Sequence, residues 1–435
     1  MKIKFAYDRE ELTLNVPDDA LVYESHFPEP DAPADQLVFQ ALEQPCGTAR
    51  FEEVLKTRRE GKVVIVVSDI TRPIPYFSFL PQMLKRIEAA GVARDEILIL
   101  VATGMHRVST KEEHIEMFGA FVANNYSIID HRGDDPDELA TVPGKTWSGN
   151  AIQLNRHLVE AGFRISTGLV EPHFMAGYSG GRKAICPGCS SLDTVRNFHG
   201  EPFLADERAC NGNLEGNPLH LESLSVAKAL GVDFTLNVVL NDQRQVVKAF
   251  AGELEAAHEA ACEFVKGCAC PTVEIEADLV ITSSGGYPLD ATFYQCVKGF
   301  VSCIPAVKPQ GVIVSFGGCT EGIGSPEYIA TMSEFGGGNW HLFPEHIQKP
   351  GVFEKDQWQF QMHCRTLAKL GEENLRFVTA GLDEDTLSTL SVNPFAVPCD
   401  ALQATIQTMI DEAVAEGKTI AVFPEGPYCA PIEGI

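Results

Sequence analysis

Val63-Val64-Ile65-Val66-Val67-Ser68-Asp69-Ile70-Thr71-Arg72-Pro73 is the stretch that sets the reading of the chain. Five successive branched aliphatic residues show no polar alternation. Such a run suits a strand buried on both faces, as in a parallel sheet. It stops abruptly at a polar loop. The same pattern recurs outward from it. Ile97 to Val101 leads into Ala102-Thr103-Gly104-Met105-His106-Arg107, and Phe163 to Ser166 leads into Thr167-Gly168-Leu169-Val170-Glu171-Pro172-His173. Leu279 to Ile281 and Val312 to Phe316 behave alike, each ending in a glycine-containing loop.

Helix-like stretches separate these runs. Leu80, Met83, Leu84 and Ile87 repeat at helical spacing before Gly91, and Leu221 to Leu230 and Ile406 to Ala415 read the same way. Phe234 to Leu240 and Val246 to Phe250 flank Asn241-Asp242-Gln243, which predicts a hairpin. Alternating strands and helices define an α/β class. The 435 residues are too many for one ordinary domain. We expect two domains with mainly parallel sheets and an active site in the cleft between them. Residues 1–272 plus 400–435 would form an N-terminal domain carrying the cofactor and the catalytic histidines. Residues 273–399 would form a C-terminal domain contributing substrate-binding residues. In this reading the strand-like tail around Thr419 to Phe423 returns to the first domain.

Composition narrows the function. Lys and Arg total 34 against 60 Asp and Glu, a formal net charge of -26, which repels nucleic acid and anionic membranes. No aliphatic run approaches the ~18 residues of a membrane span, and MKIKFAYDREELTL has no apolar signal core. The expected location is cytoplasmic. Thirteen cysteines, an odd number, fit reduced thiols. Cys186-Pro-Gly-Cys189 has the spacing of redox and zinc sites, but no second such half exists, so ordinary buried cysteines are the favoured reading.

In open α/β sheets ligands bind beyond the carboxyl ends of strands. The loops there carry Asp69, Thr71, Arg72, His106 and His173. Either histidine alone reads as a structural hydrogen-bonding residue. Two at equivalent strand ends suit proton transfer near neutral pH. Gly177-Tyr178-Ser179-Gly180-Gly181-Arg182-Lys183 is glycine-rich and basic, like a phosphate cradle, yet it is neither a Walker A loop nor a dinucleotide fingerprint. Lys183 reads either as a phosphate contact or as an activated, covalently modified amine. His199 lacks neighbouring ligands and gains meaning only if a cofactor completes a metal's coordination. Arg72 and Lys298 suit carboxylates, and Gln295 and Lys298 share a helix face.

Taken together, Ser-Asp-Ile-Thr-Arg-Pro (68–73), Thr-Gly-Met-His-Arg (103–107), Glu-Pro-His-Phe (171–174), Ser-Gly-Gly-Arg-Lys (179–183), Asn-Phe-His-Gly (197–200) and Tyr-Gln-x-x-Lys (294–298) resemble the nickel-dependent lactate racemase family. Trp358 and the ending Pro424-Glu-Gly-Pro-Tyr428 also match, so the resemblance spans almost the whole chain. It implies a nickel-pincer nucleotide, the Ni(II) complex of pyridinium-3,5-bisthiocarboxylic acid mononucleotide, linked covalently at Lys183. His199 would be the protein's nickel ligand. Asp69, Thr71, Arg72, Ser179, Gly180, Gly181 and Arg182 would hold the nucleotide. His106 and His173 would be the acid–bases of a 2-hydroxy acid racemase or epimerase working by reversible hydride transfer through a 2-keto acid. Arg72, Tyr294, Gln295, Lys298 and Trp358 would bind substrate. Cofactor-synthesis enzymes would be partners. The other readings are a 2-hydroxy acid dehydrogenase or lyase with another cofactor, and a non-enzymatic binder of a phosphorylated small molecule.

Overall fold

A computed structural model describes residues 1–349 and 351–434. The chain forms two compact units. The first comprises Phe27–Phe198 and Asn213–Lys266. The second comprises Met1–His26, His199–Gly212 and the chain from Gly267 onward.

In the first unit the apolar runs pair as a six-stranded sheet. Its order is Val246–Gly252, Phe234–Leu240, Phe163–Leu169, Val63–Ser68, Ile97–Ala102, Ser127–Asp130. All neighbours are parallel except the first two strands, which form the expected hairpin. The chain order therefore runs outward in both directions from the adjacent Val63–Ser68 and Phe163–Leu169 strands. That pair marks the topological switch point, where open parallel sheets place ligands. Val63 to Val67 are completely buried, as an uninterrupted aliphatic strand must be when helices cover both faces. The Tyr76–Ala89 helix lays Phe79, Leu80, Met83, Leu84 and Ile87 onto this core. The Pro218–Leu230 helix starts with Asn217 accepting from the N–H groups of Leu219 and His220, and stops at left-handed Gly231.

The second unit has its own six-stranded sheet, parallel throughout. Its order is Asn393–Ala396, Leu375–Thr379, Val307–Phe316, Ala277–Ser283, Ile420–Phe423, Leu21–Val22. The tail strand thus pairs with Ala277–Ser283 and does not return to the first sheet. Residues 1–26 belong here as well. The Lys2–Tyr7 and Glu10–Asn15 hairpin buries Ile3, Phe5, Tyr7 and Leu14 against Ile281, Phe316, Val422 and the Cys399–Ala415 helix. That alternating inward face corrects the expected grouping of residues 1–26 and 400–435 with the histidine-bearing domain. Removing those side chains from water is what fixes them on the second sheet. Among the described residues no helix is long and apolar enough to cross a membrane.

Candidate active site

Asp69 lies directly beyond the Val63–Ser68 strand, and His106 stands a few residues beyond Ile97–Ala102. The structure brings them together, with His106 Nδ1 2.6 Å from Asp69 Oδ2. Asp69 Oδ1 accepts from the Thr71 hydroxyl at 2.6 Å, and Arg72 Nη1 donates to Thr71 Oγ1 at 3.2 Å. Burial raises the Asp69 carboxyl, but the hydrogen bond and charge of His106, the Thr71 hydroxyl and the Arg72 charge outweigh it. They hold it below the usual carboxylate range. A carboxylate only accepts, so the His106 ring carries its proton on Nδ1 and keeps the Nε2 lone pair.

His173 is built differently. It sits in a two-stranded turn, Pro172–His173 with Gly177–Tyr178, beyond the Phe163–Leu169 strand. Its Nδ1 accepts from the backbone N–H groups of Met175 at 3.3 Å and Ala176 at 3.2 Å. A neutral His173 therefore carries its proton on Nε2. The two histidines present opposite tautomers. Nitrogen-15 NMR of the histidine rings at neutral pH is expected to show an Nδ1-protonated His106 and an Nε2-protonated His173. Identical tautomers would contradict this geometry.

The depressed Asp69 carboxyl also sets an acid-stability expectation. Its contribution is fully present above the ordinary carboxylate value of about 4 and is lost as pH falls through the lowered native value. Asp69→Asn should remove that segment of the curve. Thermal melts of both proteins across the acid range check it, and superimposable acid limbs would refute it.

Two side chains expected at the nucleotide point inward instead. The Ser179 hydroxyl donates to Leu169 O at 2.7 Å and accepts from Glu171 N–H at 3.0 Å, so it pins the loop. Arg182 is fully buried and donates to the carbonyls of Ala176 and Tyr178. The glycines also answer to packing. A Cβ at Gly180 would lie 2.6 Å from Val170, and one at Gly181 would lie 2.6 Å from the His258 ring. The Gly181 N–H is already taken by Asn237 Oδ1 at 2.9 Å. Lys183 emerges half-buried from this turn, its amine 5.8 Å from the centre of the Phe198 ring. Asn237 and His258 come from a distant strand and helix, and no local sequence signal marks them.

Cys186 and Cys189 are buried, unpaired thiols. Burial pushes Cys186 up to about 12 and also raises Cys189, so neither is a thiolate ready to bind metal or attack. Their turn works as a spacer. Gly104 N–H donates to Gly188 O at 3.0 Å, and Gly188 N–H donates to Lys183 O at 3.1 Å. The His106 loop and the Lys183 turn are thereby tied through one glycine.

The second unit gathers the remaining candidates. Tyr294, Gln295 and Lys298 lie on the Phe293–Ser302 helix, and Trp358 lies at the start of the Gln357–Leu370 helix. Trp358 Nε1 donates to the Tyr294 hydroxyl at 2.9 Å, and the His199 ring packs 4.5 Å from Trp358. Flanking glutamines brace this group. Gln357 donates to His199 O at 3.3 Å and Gln359 to Tyr294 O at 2.5 Å. The periodic polar pair around Trp358 was the available signal for these two. Gln295 Oε1 is buried and has no hydrogen-bond partner among the described residues, so it suits a ligand donor.

Family models for the lactate racemase N-terminal and C-terminal domains match residues 7–212 and 272–427. A lactate racemase of Lactiplantibacillus plantarum is 32% identical over 438 residues, covering 98% of each chain. One from Thermoanaerobacterium thermosaccharolyticum is 34% identical over 444 residues, covering 98% of this chain and 97% of the other. The solved lactate racemase apoprotein from the latter organism superposes with a TM-score of 0.89 at 30% identity, with complete coverage of both chains. A Thermotoga maritima protein shares the fold, with a TM-score of 0.65 at 18% identity over 93% of this chain and all of that one. Two strand-end histidines on one of two mainly parallel-sheet units, read with these likenesses, place the chain among α/β isomerases. It belongs to the lactate racemase family.

Proposed function

We propose that this protein interconverts the enantiomers of a small 2-hydroxy acid, lactate or a near relative, with a nickel-pincer nucleotide bound at Lys183. The observation that carries the reading is the pair of strand-end imidazoles with opposite tautomers, one backed by Asp69 and the other by backbone N–H groups. The donor set fits such a cofactor. Among the described residues no group of three or more His, Cys, Asp or Glu is arranged to hold a metal. A metal at His199 would take its other donors from the bound group, whose sulfurs with one imidazole suit Ni(II). When bound, the cofactor supplies the acceptor for the α-hydrogen and its electron pair.

The chain's own residues do the rest. His106 Nε2 takes the hydroxyl proton of one enantiomer while Asp69 stabilises the imidazolium that forms. His173 serves the other enantiomer. To take a hydroxyl proton at Nε2, His173 must hold its own proton on Nδ1, which requires the ring to give up its contacts with the Met175 and Ala176 N–H groups. Arg72 and Lys298 bind the substrate carboxylate, and Gln295 holds the reacting oxygen. Tyr294 and Trp358 limit the size of the substrate's third substituent. Thr71 orients Arg72. Cofactor-synthesis enzymes would load the site, and the odd number of cysteines, thirteen, supports a cytoplasmic setting.

The deciding experiment uses protein made together with cofactor-synthesis enzymes and a panel of single-enantiomer 2-hydroxy acids. Chiral chromatography should show conversion of one acid to an equal mixture. Protein that carries the cofactor yet racemises no 2-hydroxy acid would end the proposal.

A further inference from the structure

Gly177, Gly180 and Gly181 adopt φ values of 75°, 73° and 51°. A chain so rich in glycine has many conformations to lose, so something must hold it. Two side chains with no part in the proton transfers do so. Arg182 is only 1% exposed, and its Nη1 and Nη2 donate to Tyr178 O at 2.9 Å and Ala176 O at 2.8 Å. The guanidinium thus closes the loop onto its own beginning. Behind it stands His258, 3% exposed, from the Leu254–Ala269 helix. Its Nε2 lies 2.8 Å from Arg182 Nη1 and 2.9 Å from Ser179 O, and its ring is the floor beneath Gly181. Burial and the neighbouring guanidinium keep this imidazole neutral. A neutral ring can rest against a buried cation that a charged one would repel.

Residues 181–184 form a 3-10 turn. With about three residues per turn, neighbouring side chains diverge by roughly 120°. Anchoring Arg182 inward therefore dictates the direction of Lys183. We propose that His258 and Arg182 form a positioning clamp that fixes the Gly180–Lys183 turn and aims the Lys183 amine at the cofactor. Both are positioning residues. The proposal rests on the reading that Lys183 carries the cofactor, but the ordering of the turn does not.

The test compares His258→Leu with His258→Gln. Leucine fills space but offers no polar atom. Glutamine ends in an amide that can accept from Arg182 and donate to Ser179 O. Backbone hydrogen exchange of residues 176–184 is measured in cofactor-free protein, and the fraction of chains with a Lys183 adduct is measured by intact mass after production with the cofactor-synthesis enzymes. His258→Leu should exchange at least tenfold faster in that segment alone and carry at least tenfold less adduct. His258→Gln should restore both. Native exchange in His258→Leu, or no rescue by glutamine, overturns the clamp. Should His258→Leu fail to fold, Arg182→Lys, which keeps the charge but cannot span both carbonyls and the ring, is read in the same way, and native exchange there overturns the clamp. A loosened turn in the variant with no adduct even in the unaltered protein would uphold the clamp and refute the cofactor reading.

Discussion

Replacing His106 by alanine is expected to lower kcat/KM by about 10²–10⁴-fold, the usual contribution of a positioned general base. The loss must be equal for both enantiomers. Two mirror-image acids have the same free energy, so their interconversion has an equilibrium constant of unity and the two values of kcat/KM are bound together at every pH. The individual kcat values are not so bound. His106 and His173 begin from different tautomers, and removing the ring backed by Asp69 should change the two kcat values unequally. The His106 ring is about half exposed and, among the described residues, hydrogen-bonds to Asp69 alone, so the protein should remain folded and keep any metal bound with the proposed cofactor. Steady-state rates from each enantiomer, with nickel content measured alongside, check this. Undiminished turnover in both directions would remove His106 from the mechanism.

The second large effect concerns Lys183. Lys183→Arg keeps a cation in the turn but cannot form the proposed covalent link, because a guanidinium is not a nucleophile at neutral pH. Intact mass should show no adduct, and racemisation should fall to background. The turn itself should survive, since its shape is set by Ser179, Arg182, Asn237 and the Lys183 backbone rather than by the amine. A fully active Lys183→Arg protein would show that attachment is dispensable. An inactive protein that still gains the adduct mass would show that attachment lies elsewhere.

Much of this was legible in the residues. The Val63–Val67 run could only be a strand buried on both sides, and the position of Asp69 and His106 followed from where such strands end. The hairpin around Asn241 announced itself by its turn residues. What stayed hidden was set by distant partners. Nothing local distinguishes a tail strand that joins one sheet from one that joins another, because Ile420–Phe423 is apolar either way. Ser179 and Arg182 look the same in sequence whether they face a phosphate or the interior. A glycine demanded by an anion likewise looks the same as one demanded by the ring of His258. The glutamines beside Trp358 were readable in principle, as uncharged polar residues alternating with Trp358 and Phe360 in the first turn of a helix.

The small strand at Leu21–Val22 has a consequence for how the molecule is made. Val22 pairs with Val422, four hundred positions later, so this edge of the sheet cannot close until that distant segment has been made. The histidine-bearing unit has no such wait and can assemble as it emerges. Closure of the other sheet is the slow, nonlocal event, and until it occurs the apolar side of the opening hairpin lacks its cover.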